Sequence, residues 1–112
     1  MPKYLLIYRD SASPQSQPSP EEIQQFLGMW AGWFQKFKDA IVDAGDGLLP
    51  TGRVLQADGV VADGPYVEAK EMIGGFSVLQ ANSYEAAVTI ARECPIAIVG
   101  GAIELREFAG YI

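Results

Sequence analysis

The chain has 112 residues, 49% of them hydrophobic, and a formal net charge of -6. That length fits one domain, residues 1–112, with one core, and the apolar content is too high for a disordered chain. The acidic balance argues against nonspecific nucleic-acid binding, which relies on Lys and Arg neutralising phosphates, and the absence of histidine excludes Ser-His-Asp and Cys-His catalysis.

Lys3 to Arg9 reads as a strand, apolar and aromatic on both faces and therefore central. Its run Tyr4 to Tyr8 is far too short to cross a bilayer, and no basic segment with an apolar run and small-residue cleavage site stands at the N-terminus. A cytoplasmic protein is the expectation. Ser11 to Ser19 is rich in Ser, Gln and Pro and cannot be regular structure, so it is a mobile excursion or a lid.

Ser19-Pro20-Glu21-Glu22 is a helix start: Ser19 caps, Pro20 takes the first helical position, and Glu22 completes a capping box. The helix is expected to run to about Ala44, with Gly45 as its stop. Ile23, Phe26, Leu27, Trp30, Phe34, Phe37 and Ile41 follow helical spacing and are expected to face the core. Met29 and Trp33 widen that stripe, either as a thick core or as the wall of a cavity or subunit interface.

Short glycine-punctuated strands follow. Leu48-Leu49 is one, Arg53 to Ala57 a second, and Val60 to Ala62 pairs back across Asp58-Gly59. Asp63-Gly64-Pro65 is a turn signal, since Asp63 can bond the backbone ahead, Gly64 tolerates positive φ and Pro65 fixes its own. Glu68, Lys70 and Glu71 carry the densest charge of this region before Gly74-Gly75, and Phe76 to Ala81 is a strand.

Asn82 is expected to cap a second helix with Tyr84, Ala87, Val88 and Ala91 on its inner face, ended by Cys94-Pro95. Cys94 is the one cysteine, which precludes an intramolecular disulfide, suits a reducing compartment, and reads as a small buried apolar residue. Ile96 to Gly101 is an apolar connection. Ala102 to Phe108 is the last strand, with Ile103 and Leu105 on one face and Glu104 and Arg106 on the other. The order strand, helix, small strands, strand, helix, strand predicts an α+β, ferredoxin-like split βαβ plan with an antiparallel sheet.

Several pieces of the chain resemble the YCII-related family in its DGPF-motif branch: the opening Lys3 to Tyr8, the Ser19-Pro20-Glu21-Glu22 start, Asp63-Gly64-Pro65-Tyr66, Lys70-Glu71, Gly74-Gly75-Phe76 and Ile103 to Arg106. The resemblance implies a dimeric α+β barrel, in which two ferredoxin-like sheets pack face to face and enclose clefts. It is similar in fold to small isomerases, dehalogenases and monooxygenases. Some relatives carry a His-Asp pair; this chain has no histidine, so that mechanism does not transfer. The motif's usual Phe is Tyr66 here.

The expected function is binding or transformation of a small aromatic or carboxylic metabolite in an aromatic-lined cleft near Asp63 to Tyr66. Asp63 either caps its turn or acts as a base, and Tyr66 either packs or donates a proton. Lys70 and Glu71 are a solvated pair, or Lys70 holds an anionic group. Arg9, Trp30 and Trp33 complete the candidate ligand-binding set. The other class of reading is a noncatalytic dimeric module that binds an effector or a protein, linked to sigma-factor regulation. A homodimer is expected, because the two-sided apolar first strand would otherwise leave one sheet face to water. Neither a tightly bound metal nor an organic cofactor is expected, nor contact with nucleic acid or membrane. The chain lacks histidine, has a single cysteine, and has no phosphate-binding glycine fingerprint at a strand-to-helix turn.

Overall fold

The structure is a computed structural model and describes residues 1–11, 19–64 and 71–111. The elements run β1 (Lys3–Ser11), α1 (Pro20–Lys36), β2 (Ile41–Gly47), β3 (Gly52–Leu55), β4 (Val61–Gly64), β5 (Glu71–Gln80), α2 (Tyr84–Arg92), α3 (Pro95–Ile98) and β6 (Ala102–Glu107). β2, β5, β1 and β6 form one sheet in that order, with antiparallel neighbours throughout. This is the ferredoxin-like α+β plan expected from the sequence, with β3 and β4 inserted as a separate two-stranded hairpin.

β1 is central because it is apolar on both faces. Tyr4, Leu6 and Tyr8 alternate along it, are buried, and pack with Leu79, Trp33, Ala87, Ala91 and Cys94 in the core under the helices. Leu5 and Ile7 point the other way and are only half-buried. Opposite them in register stand Val78 and Phe76 on β5 and Arg106 and Glu104 on β6. The helices thus cover one sheet face, and among the described residues no element covers the other. Among the described residues no helix is long and apolar enough to cross a membrane.

The N-caps of α1 and α2 are both built by serine. The backbone N–H of Glu22 donates to Ser19 Oγ at 3.2 Å, and Pro20 takes the first helical position. In α2 the cap is Ser83 rather than Asn82, accepting from the N–H of Ala86 at 3.1 Å. Tyr84, the first residue of α2, lies edge-on to Tyr4, ring centroids 4.8 Å apart.

The largest departure from the sequence expectation is α1, which ends at Lys36 instead of Ala44. Ala40 and Ile41 both donate to Phe37 O, turning the chain, and Ile41–Gly47 then becomes the sheet's edge strand. The periodic Ile41 fits a helix pattern locally, but β5 needs a partner, and β-branched Ile41-Val42 suits a strand better. Gly45 is not a helix stop. It sits at φ 71° inside β2, where the register shifts between Asp43 and Asp46. The apolar stripe is also rotated: Ile23 and Leu27 are exposed, while Trp33 is the buried residue of α1. Leu48-Leu49 is not a strand, β5 begins at Glu71 with Gly74-Gly75 inside it, and Ile96 to Gly101 opens with the single-turn α3.

Candidate aromatic cleft

Phe26, Trp30 and Phe34 recur every four residues and so share one face of α1. That face overhangs the end of the sheet where β2 finishes and β5 enters. Trp30 is the hub. Its ring centroid lies 5.4 Å from Tyr8, 6.0 Å from Phe26, 5.8 Å from Trp33 and 5.5 Å from Phe34. Such spacings suit edge-on and tilted aromatic packing.

The facing wall is rich in glycine, with Ala44, Asp46 and Phe76 among the glycines. Gly45, Gly47, Gly74 and Gly75 bring bare backbone to the cleft. At Gly75 this is obligatory, because a Cβ would stand 2.8 Å from Asp46 O and 3.4 Å from Tyr8 Cδ2. The space between the two walls is about 610 Å³, with Leu27, Ile96 and Val99 at its margins. That volume is within the range of small-molecule sites.

Tyr8 forms the inner end. Its hydroxyl donates to Ser77 Oγ at 2.6 Å, and Ser77 in turn donates to Ala44 O at 2.7 Å. This chain of bonds ties β1, β5 and β2 together behind the cleft. Burial drives the Tyr8 phenol well above its ordinary range, so it stays neutral and protonated. Cys94 lies beside it, and burial likewise pushes its thiol up. As expected from the sequence, Cys94 is a buried apolar filler rather than an exposed thiolate.

Trp30 is the sequence candidate that stands in the cleft wall. Trp33 lies behind it in the core, 3% exposed, with its indole N–H donating to Ile90 O at 3.0 Å. Asp63 lies in β4, near its end, and the rest of the expected turn, from Pro65 on, lies outside the described residues. Asp63 stands opposite Arg53, 3.8 Å from its Nε, with a side chain 97% exposed, and it is not part of the cleft walls. Arg9 projects from the face turned away from the helices and donates to Glu104 Oε1 at 2.7 Å. That bond, with Arg106 adding to it, holds the Glu104 carboxyl below its ordinary range. Tyr66 and Lys70 lie outside the described residues, as does the side chain of Glu71 at the start of β5. Among the described residues no group of three His, Cys, Asp or Glu gathers to hold a metal.

Sequence reasoning missed Tyr8, Phe26 and Phe34 as cleft residues and took them as core. It also missed the role of Gly45 and Gly47. The usable signal was the pairing of two glycine-rich strand ends, since strands rarely carry glycine without a close approach.

Residues 34–109 match the family model of the YCII-related domain. No curated protein matches the chain. Among solved structures, the chain is similar to 5-chloro-2-hydroxyhydroquinone dehydrochlorinase from Burkholderia phenoliruptrix, solved in complex with 2,5-dihydroxybenzoquinone. The identity is 21%, the TM-score 0.45, and the match covers 94% of this chain and 92% of that one.

Proposed function

Because the chain belongs to the YCII-related family, we propose that it binds or transforms a small, flat aromatic metabolite in the cleft between α1 and the glycine end of the sheet. The observation that carries this reading is the contrast between the walls. One is built from Phe26, Trp30, Phe34 and Tyr8, and the other from the bare backbone of Gly45, Gly47, Gly74 and Gly75. A planar ring satisfies both, stacking on Trp30 while lying close to the peptide groups of the glycines.

Asp63-Gly64-Pro65-Tyr66, with Tyr where the motif has Phe, places the chain in the DGPF-motif branch on this reading. Tyr66, Lys70 and Glu71 precede Gly74-Gly75 in the sequence and are retained as candidate ligand-reading groups, with Asp63 and Arg9 further candidates. Lacking histidine, the site would move protons through Asp, Glu, Lys or Tyr. The uncovered face of the sheet, with Leu5, Ile7 and Val78, is read as the surface on which two copies pair, and the single buried Cys94 suits a reducing compartment.

The test is a thermal-shift screen of small aromatic and carboxylic metabolites, because ligands that bind the native state alone raise its stability. A hit on the parent protein that is lost in Trp30→Ala, with fold retained, is the expected result. Hits unaffected by Trp30→Ala would place the site elsewhere.

A further inference from the structure

Apart from aromatic residues and Cys94, Ser77 is the one buried side chain with a polar atom among the described residues, and it is 0% exposed. It sits on β5 between Gly75 and Leu79, on the sheet face that the helices cover, opposite Leu6 of β1. An aliphatic side chain would suit that place, since burying a hydroxyl is unfavourable unless its bonds are met. Here both are met. Ser77 Oγ accepts from the Tyr8 hydroxyl at 2.6 Å and donates to Ala44 O at 2.7 Å. Ser77 does not itself line the cleft, so it acts there only through these two neighbours.

Each neighbour belongs to a different wall. Ala44 lies in β2, where the pairing passes from Asp43 opposite Val78 to Asp46 opposite Phe76. Ala44 and Gly45 therefore stand together where β5 offers Ser77 alone, which is a bulge. Gly45 takes its φ of 71° within that bulge, and the glycine wall begins there. The Ser77 hydroxyl ties the extra residue down by its carbonyl. On the other side, the Tyr8 ring lies edge-on to Trp30, centroids 5.4 Å apart. The bond to Ser77 fixes the tilt of that ring, and with it the support of the aromatic wall.

We propose that Ser77 is a positioning residue, a strut that sets the width of the cleft to the thickness of a flat ring, so that aromatic ligands enter and their puckered, saturated counterparts do not. This role rests on the cleft being the ligand site. A slot braced at both walls widens only by giving up a buried hydrogen bond. A ligand too thick for it meets the same strain as an overfilled core.

The experiment compares 2-naphthol with decahydro-2-naphthol, which carries the same hydroxyl on a thicker and more apolar frame. Dissociation constants are measured by isothermal titration calorimetry on the parent, Ser77→Ala, Tyr8→Phe and Trp30→Ala. The parent is expected to bind the flat probe about tenfold more tightly or better, since fit and stacking both favour it. In Ser77→Ala that ratio should fall below about threefold. Amide hydrogen exchange at Gly45 and Asp46 should quicken, while that at Leu5 and Val78 should not. A serine that served stability alone would leave the ratio as it is in the parent, and that result overturns the strut while leaving the cleft in place. A parent that takes both probes equally does the same. If Ser77→Ala does not fold, Tyr8→Phe cuts the strut at its other end, and an unchanged ratio there overturns the proposal. If neither probe binds the parent, or Trp30→Ala binds both as the parent does, the cleft is not the ligand site and the strut falls with it.

Discussion

The cleft and the hairpin are both open apolar surfaces, yet they are built in opposite ways. The cleft is concave, and each wall is backed by the core: Trp30 leans on Trp33, and the glycine wall is sheet backbone. The hairpin pairs with itself and carries aliphatic side chains into solvent. A backed, aromatic slot holds its shape before anything binds, which suits a small molecule. An unbacked aliphatic arm gains only when a large surface closes over it. What separates the two is the support behind the surface.

Two glycines test that contrast most severely. Gly45 in the cleft wall and Gly59 at the hairpin tip both have positive φ, 71° and 88°. A Cβ on Gly45 would stand 1.8 Å from Phe76 O, whereas one on Gly59 meets nothing within 4 Å. Gly59→Ala should cost only the left-handed backbone penalty, about 1 kcal/mol. Gly45→Ala carries the same penalty plus a clash with a fixed backbone, and should cost more than ~3 kcal/mol or prevent folding. Urea denaturation of the two variants measures the gap. Equal costs would mean that β2 yields as freely as the hairpin turn, and the wall would not be rigid.

A step smaller is the pair Trp30→Ala and Leu49→Ser. Trp30 is partly buried among four rings, so its loss should cost about 2–4 kcal/mol and abolish any ligand-induced thermal shift. Leu49→Ser changes an exposed position and should alter the monomer's stability by less than ~0.5 kcal/mol. Differential scanning calorimetry on both, with and without ligand, gives the comparison. A Leu49→Ser variant that destabilises the monomer as much as Trp30→Ala would show the hairpin is part of the fold's core.

The sequence made the scaffold legible where pattern and packing agree. β1 was readable because apolar residues on both faces can only be central, and β6 because Ile103 and Leu105 alternate with Glu104 and Arg106. The Ser19-Pro20 start was readable because its capping chemistry is local. β2 was not, because Ile41 continues a helical spacing and only the need of β5 for an edge partner turns the chain at Phe37. The cleft failed for the same reason. Phe26, Trp30 and Phe34 look like core residues in one dimension, and only the sheet's glycine end, distant in sequence, leaves space in front of them. For Asp63 the sequence could not show that the residue ends a strand, where Arg53 stands opposite it across the hairpin.

The smallest expected effect concerns the uncovered sheet face. Arg9 holds the Glu104 carboxyl below its ordinary range, so the pair favours the folded state when Glu104 is ionised. The sign follows from the lowered value. The contribution is present above the unfolded carboxyl's range and fades as pH falls through the lower, folded one. Arg9→Met keeps most of the stem and removes the charge. On an open, solvated face the parent should exceed this variant by less than ~1 kcal/mol at pH 7, with the difference vanishing below about pH 3. Under a second copy's sheet the same substitution would leave Glu104 short of its main partner in a desolvated place, and the loss would grow to about 3 kcal/mol or more. Urea titrations at pH 7 and pH 3, each run at nanomolar and at high micromolar protein, separate the cases. A loss that is small when dilute and large when concentrated means the face is covered by its twin. A loss that stays small at both concentrations means water remains on it.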